Sequence, residues 1–332
     1  MRAPAAAPRP SSAAFAAMET ISPERIRAHV RFLSDDLLEG RGTGQRGGDI
    51  AAEYIATQFA LYGLKPAGDD GTYLQKVPMV GITPSPQTTF SLVPTNGAAT
   101  SLKVLEDYVS YDQTEQPQSD IDAPIVFVGY GIQAPEYNWD DYKDADVKGK
   151  VLLMLVNEPP SEDAKFFKGK ALTYYGRWTY KYEEAARRGA VGVLLIHQTQ
   201  MASYPWEVVR NSNSGEKAYL KEDSTPKLKA AAWIQFAVAQ KLASASGLNL
   251  EKLLLDAQSR DFKPVALSAK LQAHVASKIR PFESNNVIGM LPGANGTLKN
   301  EAVLYTAHYD HLGIRPDMAG DNIYNGANDN AT

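Results

Sequence analysis

Short apolar segments alternate with helical segments in the middle of the chain. The runs VLLMLV (151–156) and VGVLLI (191–196) are continuously apolar, and the segment YKYEEAARRGA between them has helical spacing. Strands that are buried on both faces give such runs, and parallel strands need a crossover helix. The sequence therefore predicts an α/β unit whose sheet is covered by helices.

Two amphipathic helices are predicted before this unit. The segment SPERIRAHVRFL starts with Ser22 as N-cap and Pro23 at the first helical position. The second helix lies in DIAAEYIATQFALYGLKPAG, with Gly63 as its C-terminal cap. Apolar strands need helices over them, so we expect both helices to pack on the later apolar strands NNVIGML and AVLYTA.

Between these helices, residues 42–47 read GTGQRG. The spacing matches the glycine pattern of dinucleotide-binding loops and would indicate a nicotinamide-dependent oxidoreductase. That pattern requires a strand directly before it, and here a helix precedes it. A flexible helix-to-helix connector is therefore the preferred interpretation.

Composition excludes several classes of protein. The 332 residues suffice for two domains, and the absence of cysteine excludes disulfides, thiolate zinc sites and a cysteine nucleophile. A net charge of -4 gives no basic footprint for nucleic acid, and no apolar run is long enough for a membrane span.

Residues 1–20 are rich in Ala, Pro and Ser, which predicts a disordered or targeting tail. A small-x-small pattern in this tail favours a periplasmic or secreted location, although no complete signal peptide is visible.

The densest cluster of His and Asp lies in AHYDHLG (307–313) and NGANDNAT (325–332). The apolar run AVLYTA is predicted to be a strand that carries His308 at its C-terminal end. His308 and Asp310 are two residues apart and point the same way on a strand. His311 would face the opposite side from Asp310, and we do not expect it to be a ligand. Asp329 follows 21 residues after His308, in a predicted turn.

These motifs resemble the M28 family of metallopeptidases, the co-catalytic zinc aminopeptidases and carboxypeptidases. DDLLEGRGTGQRGGDIAAEYIATQFALYGLKPAG is similar to the N-terminal helices of that family. APIVFVGYGIQAPEYNWDDYKDADVKGKVLLML is similar to the protease-associated (PA) domain that many members carry as an insert. The resemblance implies an α/β fold: a zinc-exopeptidase-type mixed sheet with helices on both faces, incomplete here, plus an inserted β-rich α/β PA domain. The implied organisation is a tail at 1–20, a first peptidase segment at 21–105, a PA-type insert at 106–270 and a second peptidase segment at 271–332.

The resemblance also implies roles for three residues. His308 would be a terminal ligand of one zinc ion, Asp329 would bridge two zinc ions, and Asp310 would orient His308 in a catalytic supporting role. Members of the family have further ligands and a glutamate base after this motif, and residues 1–332 contain none of them. We therefore expect a truncated metallopeptidase that acts on peptide substrates, an aminopeptidase by preference, and that is inactive as this chain. The oligomeric state is not indicated.

The alternative function is a non-catalytic receptor or protein-binding module of the same fold. Other candidate ligands have simpler interpretations. The pair Glu183 and Glu184 lies on the helix of the predicted insert and is expected to be a solvated face. His29, His197 and His274 are isolated in the sequence and are expected to be structural.

Overall fold

The computed structural model describes residues 11–221, 224–315 and 320–332. The chain divides into two compact units. The terminal unit consists of Met1–Pro78 and Phe282–Thr332, and the central unit consists of Met79–Pro281. Among the described residues, no helix is both long and apolar enough to cross a membrane.

Eight α-helices lie in the described part of the chain. They are α1 (Ser12–Met18), α2 (Pro23–Leu33), α3 (Arg46–Leu61), α4 (Trp178–Arg187), α5 (Thr199–Ala202), α6 (Trp206–Ser212), α7 (Phe236–Ala245) and α8 (Leu250–Asp256). The strands are β1 (Lys65–Pro66), β2 (Leu74–Pro84), β3 (Thr89–Pro94), β4 (Thr100–Leu102), β5 (Tyr108–Tyr111), β6 (Gln118–Phe127), β7 (Gln133–Ala134), β8 (Trp139–Asp140), β9 (Val151–Leu155), β10 (Gly192–His197), β11 (Lys217–Leu220), β12 (Ala230–Gln235), β13 (Val265–Val287), β14 (Gly289–Met290), β15 (Gly313–Ile314) and β16 (Ile323–Tyr324).

One large mixed sheet dominates the fold. Its strand order is β11-β2-β13-β6-β9-β10-β12-β5, and β3 and β4 branch from β13. Strands β6, β9, β10 and β12 are parallel to one another, whereas β13 and β5 pair antiparallel with the two outer members of this group. Parallel neighbours need a crossover connection, and helix α4 lies in the connection between β9 and β10. The predicted mixed α/β fold is confirmed.

Both faces of the central strands are covered by side chains of helices. On one face, Leu153 of β9 belongs to the same core cluster as Leu242 of α7. On the other, Leu152 belongs to a cluster with Ala185 of α4 and Val209 of α6. All five residues of β9 are buried. Burial on two faces explains why the sequence of this strand is apolar throughout and does not alternate.

The terminal unit has a small core that joins residues from both ends of the chain. Leu33, Leu38 and Ala51 pack with Ala331. Helix α2 begins as predicted: the Ser22 hydroxyl accepts a hydrogen bond from the backbone N–H of Arg25 at 3.3 Å. The two terminal stretches of sequence therefore fold as one body.

The GTGQRG segment is closely packed and does not form a flexible connector. A 3-10 helix, Asp36–Arg41, precedes it in place of the strand that a dinucleotide loop requires. A Cβ at Gly47 would lie 1.7 Å from the carbonyl oxygen of Leu38, and one at Gly48 would lie 2.6 Å from that of Gly42. The glycines are thus required where α3 passes the backbone of the preceding turn.

Residues 301–310 do not form the strand that was predicted for AVLYTA. Val303, Leu304 and Tyr305 are 81%, 82% and 91% exposed. No strand in the described residues pairs with this segment, and the predicted packing of the N-terminal helices on it is not observed. Apolar composition favours a strand, but only a ladder partner makes one. The NNVIGML run is divided between the end of β13 and β14, which pairs with β1.

The bounds of the two units differ from the predicted domain bounds. Strands β3 and β4 precede residue 106, yet β3 pairs with β13 and β4 pairs with β3, so both belong to the central unit. The assignment of residues 106–270 to a PA-type insert stays a prediction. Within the predicted tail, Ser12–Met18 form α1, which buries no residue and whose first turn is capped by the hydroxyl of Ser11. Residues 1–10 lie outside the described residues.

Candidate metal site

The structure brings His308, Asp310 and Asp329 together in the terminal unit. Nε2 of His308 lies 3.2 Å from Oδ1 of Asp329. Nδ1 of His308 lies 3.0 Å from the backbone oxygen of Asp310 and 3.3 Å from its Oδ1. The side chains of His308 and Asp329 are 55% and 67% exposed, so both donors are accessible from solvent.

Asp310 fixes the orientation of the His308 ring. The Thr43 hydroxyl donates a hydrogen bond of 2.5 Å to Oδ2 of Asp310 and holds its carboxylate. A neutral His308 ring with its proton on Nδ1 would donate to Asp310 and would present the lone pair of Nε2 to a metal ion beside Asp329. The sequence motif singles out Asp310 but not Thr43.

The turn that carries Asp329 is tied back to the histidine segment. The Asn330 side chain donates a hydrogen bond of 3.1 Å to the backbone oxygen of His308. Gly326 has a left-handed backbone, with φ of 59°, and its carbonyl accepts from the backbone N–H of Ala331 at 3.2 Å. These contacts hold Asp329 beside His308 although the two segments are distant in the sequence.

Arg41 holds both segments of the site to the N-terminal part of the chain, a role that no sequence pattern indicated. Its guanidinium is fully buried and donates only to backbone carbonyls. Nε donates to Tyr309 at 2.7 Å, Nη1 donates to Asn325 at 2.6 Å and also to Leu33, and Nη2 donates to Gly326 at 2.9 Å. One side chain thus positions the backbone next to His308 and the backbone that leads to Asp329.

The charge of Arg41 also bears on the site. Burial lowers the pKa of Arg41, and the negative charges of Asp310 and Asp329 oppose this shift. The guanidinium therefore remains the cation that faces the two carboxylates. Asn325 adds a second link, since its side chain donates to the carbonyl of Ser34 at 2.9 Å and to Oδ1 of Asp36 at 2.7 Å.

His311 lies nearer to Asp329 than strand alternation predicted. Its Nδ1 is 3.8 Å from Oδ2 of Asp329, and its ring packs near that of Tyr324. The alternation rule does not apply, because residues 308–310 do not form a strand and His311 only makes an isolated bridge with Gly42. Burial lowers the pKa of His311.

The donor pair fits one zinc ion. Ligand atoms at about 2.0–2.2 Å in a tetrahedral shell are separated by about 3.4 Å, and Nε2 of His308 and Oδ1 of Asp329 are separated by 3.2 Å. Imidazole nitrogen and carboxylate oxygen are both common zinc donors. Across the described ranges, no three His, Cys, Asp or Glu side chains are grouped to hold a metal ion. His308 and Asp329 could supply two of the ligands of a zinc ion.

The predicted glutamate pair of the central unit has partners of its own. Glu184 accepts hydrogen bonds from Arg187 at 2.8 Å and from Arg188 at 2.6 Å. Glu183 accepts one from the Tyr174 hydroxyl at 2.8 Å. The predicted solvated face therefore holds for Glu183, whose side chain is 46% exposed, but not for Glu184, which is buried and paired with the two arginines.

The three isolated histidines lie apart from this site. Nε2 of His197 is 3.0 Å from the carbonyl oxygen of Tyr204, and burial lowers the pKa of His197. Nδ1 of His274 is 2.8 Å from Oδ1 of Asp120. The ring of His29 contacts two tyrosine hydroxyls at 2.8 and 3.1 Å.

Metal sites typically contain an imidazole and a carboxylate, each held in position by further hydrogen-bonding groups. Residues 286–332 match the model of Peptidase family M28, and this segment contains His308, Asp310 and Asp329. The resemblance to that family predicted from the motifs is thereby confirmed in this part of the chain.

Comparison with whole proteins gives weaker likenesses. No curated protein matches the chain. Among solved structures, an aminopeptidase from Aneurinibacillus sp. strain AM-1 is similar at 20% identity and a TM-score of 0.44, over 94% of this chain and 56% of that one. BSAP, a zinc aminopeptidase from Bacillus subtilis, is similar at 18% identity and a TM-score of 0.35, over 93% of this chain and 54% of that one. The chain spans little more than half the length of these two enzymes.

Proposed function

We propose that the chain is the N-terminal portion of a zinc metallopeptidase of the M28 type, and that this metallopeptidase as a whole hydrolyses peptide bonds as an aminopeptidase. The observation that carries the proposal is the separation of 3.2 Å between Nε2 of His308 and Oδ1 of Asp329, inside the segment that matches the family model. The solved structures with which the chain shares its weaker likeness are described as aminopeptidases, one of them as a zinc enzyme.

Each residue of the site has a distinct part in this proposal. When bound, zinc polarises a carbonyl group and lowers the pKa of a water molecule towards neutrality. His308 would hold the ion through Nε2, with Asp310 and Thr43 fixing the ring. Asp329 would hold it through one carboxylate oxygen and has a second oxygen for a second ion. Arg41 keeps the two segments at a fixed separation.

We expect zinc to bind weakly to the 332-residue chain and to require His308. Two protein ligands leave most of the coordination shell to water, so little affinity is gained over the hydrated ion. In a zinc titration followed by NMR of the imidazole nitrogens, the Nε2 signal of His308 should shift. His308→Ala should weaken zinc binding at least about tenfold, which corresponds to about 1.4 kcal/mol.

His274→Ala is the matched control for this titration. His274 also has an aspartate partner, Asp120, but lies in the central unit. Its removal should leave zinc binding unchanged. Equal zinc affinity of the wild-type chain and the His308→Ala variant would remove the metal assignment.

We also expect the 332-residue chain by itself not to hydrolyse leucine p-nitroanilide. Among the described residues, no third His, Asp or Glu joins the donor pair in a group that could hold a metal ion, and we assign no general base to the site. A positioned base alone typically contributes about 10²–10⁴-fold to the rate. The assay should be run with and without a chelator at saturating zinc. Turnover that a chelator abolishes would show that residues outside this pair complete the site in the chain itself.

A further inference from the structure

Three Asn–Gly pairs in the chain can undergo a reaction that the proposed peptidase does not need. The asparagines are Asn96, Asn295 and Asn325, and each is followed directly by glycine. In such a pair the backbone nitrogen of the glycine can attack the side-chain amide of the asparagine, because glycine has no Cβ to hinder the approach and leaves the backbone free to turn. The local chemistry of the three pairs is the same, so their surroundings decide which of them reacts.

This reaction is deamidation, and water is its only co-reactant. The glycine nitrogen forms a bond to Cγ of the asparagine, the bond from Cγ to Nδ2 breaks, and ammonia leaves with the proton of the backbone amide. Water then opens the resulting succinimide ring at either of its carbonyl groups. The product is aspartate or isoaspartate, and both carry a negative charge that asparagine lacks.

Two of the three pairs are open to solvent. Asn96 and Gly97 are exposed in the connection between β3 and β4. Asn295 and Gly296 are exposed as well, and a Cβ at Gly296 would meet no atom within 4 Å. Oδ1 of Asn295 accepts a hydrogen bond from the backbone N–H of Thr297 at 2.8 Å, whereas its Nδ2, the group that leaves, has no partner in the described part of the chain.

The third pair is held through both its side chain and its backbone. Nδ2 of Asn325 donates to the carbonyl of Ser34 at 2.9 Å and to Oδ1 of Asp36 at 2.7 Å. Arg41 donates to the backbone oxygens of Asn325 and Gly326 at 2.6 and 2.9 Å. Ring closure requires Cγ to turn towards the glycine nitrogen and Nδ2 to leave. Both hydrogen bonds of Nδ2 must therefore break before ammonia is lost.

The neighbours of Asn325 also disfavour the product. The carbonyl of Ser34 and the carboxylate of Asp36 are both acceptors, so they match the two N–H donors of an amide. An aspartate at position 325 would turn an acceptor towards two acceptors and would place a second negative charge beside Asp36. Only the amide form of residue 325 fits these two partners.

We propose that the fold limits deamidation to Asn96 and Asn295, and that Asn325 becomes a deamidation site only when the terminal unit opens. Opening exchanges the hydrogen bonds of Asn325 for bonds to water, so its amide is then as free as the other two. Refolding does not reverse the conversion, because ammonia has been lost. Isoaspartate also adds a carbon atom to the backbone between the two carbonyls that Arg41 holds. This inference does not rest on the peptidase activity.

The test measures deamidation of each asparagine by peptide mass spectrometry. The full chain is incubated at mildly alkaline pH in water enriched in heavy oxygen, with a chelator present, so that only product formed during the incubation is labelled. In guanidinium chloride the three asparagines should react at similar rates. In the folded chain Asn96 and Asn295 should keep those rates, whereas Asn325 should react at least about tenfold more slowly, because two hydrogen bonds must break first.

A variant at an exposed position keeps the test independent of folding. Asp36 is exposed, and Asp36→Ala removes one of the two acceptors of Nδ2 of Asn325. The substitution should raise the rate at Asn325 at least about threefold and leave the rate at Asn295 unchanged. Glu53→Ala is the matched control, since it removes another exposed carboxylate of the terminal unit and should leave all three rates unchanged.

Three results would overturn the proposal. Equal rates at Asn325 and Asn295 in the folded chain would show that the neighbours of Asn325 do not protect it. Much slower reaction of Asn96 or Asn295 in the folded chain than in guanidinium chloride would show that exposure does not select the reacting pairs. An unchanged rate at Asn325 in Asp36→Ala would remove the hydrogen bonds of Nδ2 as the cause of protection.

Discussion

Replacing Arg41 with alanine is expected to lower the free energy of unfolding of the terminal unit by about 3–5 kcal/mol. The substitution removes a fully buried guanidinium and leaves the carbonyls of Leu33, Tyr309 and Asn325 without this donor, whereas the carbonyl of Gly326 keeps the N–H of Ala331. Hydrogen bonds from a charged donor contribute about 1.5–3 kcal/mol each, but bonds that share one side chain are not additive. Since small domains are stable by about 5–15 kcal/mol, this loss would leave the unit largely unfolded or close to unfolding.

The distribution of tryptophan makes this result measurable one unit at a time. All four tryptophans of the chain, at positions 139, 178, 206 and 233, lie in the central unit. Their fluorescence in a urea titration should therefore be unchanged by Arg41→Ala. Hydrogen exchange of α2 and α3, measured by mass spectrometry, should become faster. If Arg41→Ala lowered stability equally by tryptophan fluorescence and by hydrogen exchange, Arg41 would support the whole chain and not only the terminal unit.

Two further variants separate the geometry of Arg41 from its charge. Arg41→Lys keeps the positive charge but cannot present the planar fork that serves carbonyls in several directions, so most of the stability loss should remain. Arg46→Ala is the matched control, because Arg46 pairs with Glu39 on the surface and its side chain is 70% exposed. Surface ion pairs contribute about 0–1 kcal/mol, so the control should behave nearly as wild type.

Zinc binding should distinguish Arg41→Ala from Arg46→Ala in the same way as stability does. Arg41 holds the segment of His308 and the segment of Asp329 at once, so Arg41→Ala should weaken zinc binding even where the unit stays folded. Arg46→Ala should not. A full zinc response in folded Arg41→Ala protein would show that the turn at residues 325–332 orients Asp329 without help from the N-terminal segment.

Arg41 illustrates what the sequence could not provide. Candidate metal ligands are recognisable in sequence because the chemistry demands specific side chains, and the sequence predicted the proximity of His308, Asp310 and Asp329 in this way. Arg41 acts on backbone carbonyls, which every residue has, and its partners are up to 285 positions away. No residue type marks such a contact. The buried strands β9 and β10, in contrast, could be predicted, because burial on both faces leaves a continuous apolar run.

At residues 301–310 the sequence pattern predicted a structure that does not form. Its apolar residues satisfy the local preference for a strand, yet the described residues form no ladder with it and Tyr305 is 91% exposed. Strand formation depends on a partner, which a local pattern cannot reveal. The same mistake affected His311, because its predicted direction rested on strand alternation.

Gly47→Ala is expected to destabilise the terminal unit by about 3 kcal/mol. Alanine in place of glycine within a helix normally stabilises it by about 1 kcal/mol, so a flexible connector or a simple helix start would gain from the change. Here the added Cβ would lie 1.7 Å from the carbonyl oxygen of Leu38, which is backbone and cannot move aside like a flexible side chain. The cost of this steric clash therefore exceeds the gain in helix propensity. The backbone of α3 must shift away from the turn before it.

The sign of this effect distinguishes the two interpretations of GTGQRG. Hydrogen exchange of α3 should become faster in Gly47→Ala, while tryptophan fluorescence of the central unit should be unchanged. Gly293→Ala is the matched control in the same unit, since a Cβ there would meet no atom within 4 Å. A neutral or stabilising effect of Gly47→Ala would support the flexible-connector interpretation, in which the glycines provide only conformational freedom. The expected loss of stability would instead identify Gly47 as the point of closest approach between α3 and the turn that carries Arg41. This close approach of two backbones would then set the position from which Arg41 reaches the segments of His308 and Asp329.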